Sequence, residues 1–307
     1  MLQRLGYLVV VLGIAVAVSL SGVRLVAAEP DAAKTPRAKA KKVLYLTHSQ
    51  GFNHPVLGLT EKILPELGRK SGAFEVTCLA GYKQKPDQID LSMITPEYLK
   101  QFDAIIFYTT GTLPLKPEQK KAIIDFVKSG KGFVGIHSAT DYSKDPGYWP
   151  DFVDMLGPRF KTHGANDAPL FIKVDDPKHP ATKMLPQEWK IADEMYQVIE
   201  PVPRDKFHIL LTVDTEKSDP ANLAKNKMEK GKVYEVSWCR LYGKGRVFYT
   251  SLGHREDVWE NKLYQEHLVG GIRWALGEGQ ADATPDAKAR VPQERSEKKA
   301  KAGKTAK

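Results

Sequence analysis

Gly130-Lys131-Gly132-Phe133-Val134-Gly135-Ile136-His137-Ser138-Ala139-Thr140 is the stretch whose reading decides the fold. Gly132 to Ile136 is a short β-rich run with glycines on both sides, and it ends on a polar tip, His137-Ser138-Ala139-Thr140-Asp141. Just upstream, Pro117-Glu118-Gln119-Lys120-Lys121-Ala122-Ile123-Ile124-Asp125-Phe126-Val127-Lys128 opens with proline at a first-turn position and spaces its apolar residues at helical period. Helix, glycine stop, buried strand and polar tip follow in order, which is one unit of a parallel α/β sheet. Open α/β sheets bind their ligands at the carboxyl ends of the strands, and this reading puts His137 there.

Working outward, the pattern predicts strands at 43–47, 74–80 and 104–108, with a helix over 56–70 and a helical turn at 96–99. After Tyr148 it predicts a short helix at 151–156 and strands near 170–174, 189–191, 207–213, 233–238 and 246–250. A last amphipathic helix covers 261–276. The alternating first half argues for a flavodoxin-like, doubly wound, mainly parallel sheet. The strand-rich second half is expected to add antiparallel strands at its edge.

Both ends of the chain differ in character from this middle. Residues 1–4 form a basic head, 5–20 an almost unbroken apolar run, and Val26-Ala27-Ala28 places small residues before Glu29. That is the pattern of a signal peptide, 1–28. Arg24 interrupts the run before it reaches a comfortable membrane span. The expectation is a periplasmic or secreted protein with no stable membrane span after cleavage; an uncleaved membrane anchor is the alternative. Residues 29–42 read as a solvated linker and 280–307 as a disordered basic tail, which leaves one domain over 43–279.

Charge follows the same division. The formal net charge is +9, and the flanks hold 15 basic against 6 acidic residues, so the surplus sits entirely in them. Residues 43–280 carry 31 of each sign. The domain is neutral, and the high pI is no argument for a nucleic-acid partner. Cys78 and Cys239 lie inside apolar strand-like runs and read as small buried hydrophobes rather than a disulfide or a nucleophile.

Histidine carries the chemical signal. His48 and His54 follow the first strand, His137 the central one and His254 a late one, and His163 opens a loop in Phe160-Lys161-Thr162-His163-Gly164. Imidazoles gathered at strand ends suit acid–base work near neutral pH, and equally a metal such as zinc. Asp193-Glu194-Met195-Tyr196 adds two carboxylates and a phenol after the 189–191 strand. Trp238 and Tyr142 are candidates to stack on an apolar sugar face. There is no serine elbow and no P-loop, and Gly130-Lys131-Gly132 precedes a strand instead of following one, so a dinucleotide site is unsupported.

These pieces together resemble the ThuA-like (trehalose utilisation) family. The matching stretches are Val43-Leu44-Tyr45-Leu46-Thr47-His48 through His54, Phe102-Asp103-Ala104-Ile105-Ile106, Gly132 to Thr140, Asp193-Glu194-Met195-Tyr196, and Gly245-Arg246-Val247-Phe248-Tyr249-Thr250-Ser251-Leu252-Gly253-His254. The resemblance implies a class I glutamine amidotransferase-like fold. Relatives in that superfamily keep a cysteine on the sharp turn that Gly135-Ile136-His137-Ser138-Ala139 occupies here. With His137 in its place, glutamine acyl transfer is not expected.

The resemblance also implies a carbohydrate substrate, with a sugar oxidoreductase as functional partner. A 3-keto sugar has an acidic C2 proton, whose removal expels the group at C1. On this reading His137 is the base, His254 or Glu194 the acid or enolate stabiliser. His48, Asn53, His54, Ser138, Asp141, His163, Asp193, Tyr196 and Trp238 hold substrate, with His48, His54 and His163 alternatively on a divalent metal. A non-catalytic sugar-binding or cell-envelope module on the same fold is the other reading.

Overall fold

The computed structural model describes residues 40–286 except 143, 144 and 146. The expected signal peptide, 1–28, and most of the two polar flanks lie outside the described residues. Among the described residues no helix is long and apolar enough to cross a membrane.

Along the chain the strands are β1 (Lys41–Leu46), β2 (Phe74–Leu79), β3 (Ala104–Phe107), β4 (Gly132–Ile136), β5 (Phe160–Thr162), β6 (Leu170–Val174), β7 (Trp189–Ile191), β8 (Gln197–Val198), β9 (His208–Val213), β10 (Glu235–Tyr242) and β11 (Gly245–Thr250). The helices are α1 (Leu57–Ser71), α2 (Pro96–Leu99), α3 (Pro117–Lys128), α4 (Pro150–Leu156), α5 (Pro220–Lys225), α6 (Glu256–Glu260) and α7 (Lys262–Ala275). Proline opens α2, α3, α4 and α5, where its missing N–H had no partner to lose. The Asn261 side chain caps α7 by accepting from Leu263 and Tyr264 N–H at 2.9 and 3.2 Å.

Nine strands form one sheet in the order β2-β1-β3-β4-β11-β10-β9-β6-β7. From β2 to β11 every pairing is parallel, and from β11 outward every pairing is antiparallel. The mainly parallel α/β sheet with antiparallel additions is the expected architecture. All five residues of β4 are buried, as a strand covered on both faces requires. One core lies under α1 and α7 (Leu57, Leu64, Leu268, Ile272) and the other under α2, α3 and α4 (Leu99, Ile123, Val127, Phe152).

Several details depart from the sequence pattern. β11 is not an edge strand: it pairs parallel to β4 through Val247↔Phe133 and Tyr249↔Gly135. Its hairpin with β10 turns at Gly243, φ 61°, so the antiparallel half grows from the middle of the sheet. The two-stranded β5–β8 ribbon and α5 went unread, being too short to show a period. The predicted last helix begins at Lys262, with α6 a separate turn before it. The fold also runs past 279: Asp286 Oδ2 accepts the Ile209 N–H at 2.9 Å, and its other oxygen meets His208 Nδ1 at 2.9 Å. Cys78, half-buried, and Cys239, buried, are both free thiols.

Candidate functional site

Parallel pairing of β1, β3, β4 and β11 brings their carboxyl ends to one edge of the sheet, and the loops leaving β1, β4 and β11 carry His54, His137 and His254. His137 follows β4 directly and takes φ 46°, a left-handed conformation worth about 1–2 kcal/mol of strain for a residue with a side chain. Three contacts hold it there. Its Nδ1–H donates to Ser251 O at 2.6 Å, its carbonyl accepts from Tyr249 Oη at 2.8 Å, and its ring packs 4.2 Å from that of Tyr196. With Nδ1 committed to a carbonyl, Nε2 is the ring nitrogen that faces the neighbouring loops.

Glu194 enters from the β7–β8 connection. Its Oε2 lies 3.4 Å from His137 Nε2 and 3.1 Å from His254 Nδ1, and those two nitrogens are 3.3 Å apart. The His54 ring stands 5.0 Å from that of His137 and 5.3 Å from that of His254. One donor atom from each of the four residues lies within 4.8 Å of every other. On the outer side, His163 Nδ1 bonds Glu194 Oε1 at 3.0 Å and Gly164 O at 2.8 Å, and its side chain is 41% exposed.

Asp193 supports the group from below. Fully buried, it accepts the Gly253 and His254 N–H bonds at 2.6 and 3.1 Å and the Glu194 N–H at 2.9 Å, fixing the backbone of two of the four residues. Gly253 has φ 120°, and a Cβ there would fall 2.6 Å from Tyr264 Oη, so glycine is required. The Gly253 carbonyl accepts from both Tyr108 Oη and Trp259 Nε1 at 2.8 Å.

Electrostatics point one way. Burial, then the neighbouring His137 and His254, push the His54 imidazole down to about 2, so it stands as a neutral lone-pair donor. Burial pushes Glu194 up, but hydrogen bonds and charge from His137 and His254 overcome it and hold the carboxyl far below the usual carboxylate range. Asp193 is pushed up by its burial, against the pull of His137 and the Gly253 and Glu194 N–H groups. The group thus sets one carboxylate, Glu194, among ring nitrogens, the mixed O and N donor set that a divalent cation takes.

The donor set fits a divalent metal. Three nitrogens and one oxygen about a centre with bonds of roughly 2.1 Å require donor separations of roughly 3.4 Å in a tetrahedron. The separations among His137, Glu194 and His254, 3.1, 3.3 and 3.4 Å, match, and the His54 donor lies within 4.8 Å of all three. The bond from His137 Nδ1–H to a backbone carbonyl is the outer support such ligands use.

The remaining expected site residues distribute as follows. His163 and Tyr196 touch the group. Ser138 is buried beside it, accepting from Thr110 Oγ1 at 3.1 Å, and Thr110 Oγ1 lies 3.5 Å from His54 Nδ1. Asp141, half-buried, accepts the Gly111 N–H through its backbone carbonyl. Asn53 points away, donating to Tyr82 O at 2.9 Å. His48 is not in the group: its buried ring packs on Gly81, where a Cβ would lie 2.7 Å from its Cγ. Trp238 is 1% exposed, its Nε1 donating to Leu156 O and its ring 4.3 Å from that of Tyr249, so it is core and cannot reach a sugar. Tyr142, 4% exposed, packs against Phe152 in the same way. Tyr108, Thr110 and Tyr249 were missed; Tyr108 and Thr110 follow the carboxyl end of β3 on the same sheet edge, which was the signal available for them.

Residues 42–275 match the family model described as ThuA, trehalose utilisation. No curated protein matches the chain. Among solved structures, a ThuA-like protein from Bacteroides uniformis ATCC 8492 is 23% identical with a TM-score of 0.61, the match covering 84% of this chain and 99% of that one. A ThuA-like protein from Parabacteroides merdae ATCC 43184 is 20% identical with a TM-score of 0.62, covering 81% and 96%. At these identities the two structures speak to the fold, which is shared.

Proposed function

Since the chain belongs to the ThuA (trehalose utilisation) family, which suggests a sugar-related role, we propose that it cleaves or converts keto-glycosides at the centre made by His54, His137, Glu194 and His254. The observation that carries this reading is the convergence of four donors, from segments far apart in sequence, into 4.8 Å at the sheet edge where α/β folds bind ligands. A bare sugar-binding module needs no such set of titratable groups.

In the proposed reaction a C3 carbonyl acidifies the C2 proton. A base takes that proton, the C1–O bond breaks, and the leaving oxygen is protonated; water then adds across the C1=C2 bond. A divalent cation, when bound by the four residues, would stabilise negative charge developing on the carbonyl oxygen. The residues as placed then divide the work. His54, His137, Glu194 and His254 would hold the cation, which would take His137 out of the role of base. His163 has Nδ1–H committed to Gly164 O and Glu194 Oε1, which leaves Nε2 as a free lone pair on an exposed ring. In this reading His163 moves the C2 proton. Tyr249 and Asp193 are positioning residues, acting on the His137 turn and on Gly253-His254. The keto substrate would come from a sugar oxidoreductase.

The test is to incubate zinc- or manganese-loaded protein with 3-keto-trehalose and related 3-keto-glycosides and follow free glucose. Release by the wild type, lost by two to four orders of magnitude in His163→Gln and His137→Ala, is expected. No release from several keto-glycosides by metal-loaded protein would refute the reaction.

A further inference from the structure

We infer that Phe52 is the floor of a pyranose subsite just outside the four-residue centre, a role that rests on the sugar reading above. Phe52 is 60% exposed, against 57% for Leu241 and 45% for Met93 and Ile199, the other large apolar side chains that stand out from the described surface. Of these four it alone carries a ring, and it alone touches the centre. Its ring centroid lies 4.9 Å from that of His54, with the planes at 84°. An edge-to-face contact with His54 secures one part of the ring while the rest stays open to solvent.

This exposure is not the slackness of a free loop. The Gln50 N–H donates to Thr110 O at 2.7 Å, Thr110 N–H to His48 O at 3.2 Å, and the Gln50 side chain to Pro86 O at 2.9 Å. Asn53 Nδ2 donates to Tyr82 O at 2.9 Å on the far side of Phe52. Gly111, φ 75°, lets the two loops meet so closely that a Cβ there would lie 2.7 Å from Gly51 N. The backbone on both sides of Phe52 is therefore fixed, and the ring is held out beside the centre before any ligand arrives. A preorganised aromatic costs little entropy on binding.

The chemistry that fits is the C–H face of a pyranose, apolar on its flat side and hydroxylated around its rim. His163, 41% exposed and bonded to Glu194, supplies a polar group on the same centre for the rim. Phe52 leans on His54 and His163 bonds Glu194, so both border the four donors that would meet the sugar.

The experiment uses the full chain, metal-loaded, as wild type, Phe52→Ala and Phe52→Trp. Binding of trehalose and methyl α-glucoside, which carry no keto group and are not turned over, is measured by saturation-transfer NMR and calorimetry. KM and kcat are measured on 3-keto-trehalose. Phe52→Ala is expected to weaken binding and raise KM about tenfold, with kcat within about twofold and an unchanged thermal midpoint, and Phe52→Trp to restore wild-type affinity. Affinity and KM indifferent to residue 52 would overturn the subsite while leaving the reaction standing. Loss of sugar binding in Phe52→Ala without turnover of any keto-glycoside would sink the reaction and keep the subsite. Failure of the wild type to bind either sugar overturns the subsite.

Discussion

Glu194→Gln should remove most of the metal-dependent stabilisation while leaving the fold intact. Glu194 supplies the anionic donor of the set, 3.1 and 3.4 Å from the nitrogens of His254 and His137. A glutamine keeps the shape and loses the charge, and alterations even one shell out from a metal typically weaken it by about 10–100-fold. A cation at a hundred times its dissociation constant stabilises the wild type by about 2.7 kcal/mol. In a domain of this size that raises the thermal midpoint by roughly 5–10 °C. With affinity lowered about 100-fold, the same cation concentration yields about 0.4 kcal/mol, or roughly 1 °C. The assay is a thermal melt of chelator-stripped protein, with and without zinc, manganese, nickel or magnesium, each variant compared with its own metal-free baseline. His48→Gln is the control: it removes a neighbouring strand-end histidine outside the group and should keep the full shift. A wild type that no divalent ion stabilises, or a Glu194→Gln protein that shifts as much as the wild type, would refute the reasoning.

Gly253→Ala should lose roughly 3 kcal/mol, from a left-handed backbone that alanine resists and from the clash with Tyr264 Oη, and should lower metal affinity as well, because the Asp193 bonds to Gly253 and His254 move with it; urea melts and metal titrations read both. Trp238→Ala should cost about 3–5 kcal/mol, with sugar affinity of the surviving folded protein unchanged. A fourth prediction concerns pH. Burial lowers His208, but the bond to Asp176 and the charges of Asp286 and Asp176 outweigh it and raise the imidazole, while the same bond carries the Asp176 carboxyl down past the opposing effect of its burial. A raised imidazole contributes fully below its unfolded value near 6.5 and is lost as pH rises through the folded one. A lowered carboxylate contributes above its unfolded value near 4 and is lost as pH falls. The stability gap between wild type and His208→Gln should therefore be widest, at about 1–2 kcal/mol, between roughly pH 4 and 6.5, and should narrow toward pH 9.

Much of this was legible because local pattern and global fold agree. The helix, glycine stop, buried strand and histidine around Gly132-His137 show their periods in the chain itself, and the sheet-edge rule then assigns His54, His137 and His254 to one side. What pattern could not give was direction. His48 and His54 sit in the same loop, yet one ring is turned onto Gly81 and the other into the group, a difference set by tertiary packing. Trp238 looks like a sugar platform in sequence, but in β10 its side chain faces the buried side. Phe52 stands in solvent, which nothing in the residues around it announces. The parallel place of β11 was hidden because a hairpin's sequence does not say which of its strands will face an existing sheet. Asp193, expected on the substrate, is instead sealed beneath Gly253 and His254 as a backbone acceptor, while Glu194 does face the other donors.

Gathering four side chains from positions 54 to 254 has a consequence for biogenesis. No contiguous fragment holds the set: the histidine next to Gly253 emerges about two hundred residues after the first. The nascent chain must close its longest loops before the four donors can meet, and contacts of that span form late. Early on the ribosome, the polypeptide therefore offers scavenging ions scattered imidazoles in place of a finished chelate.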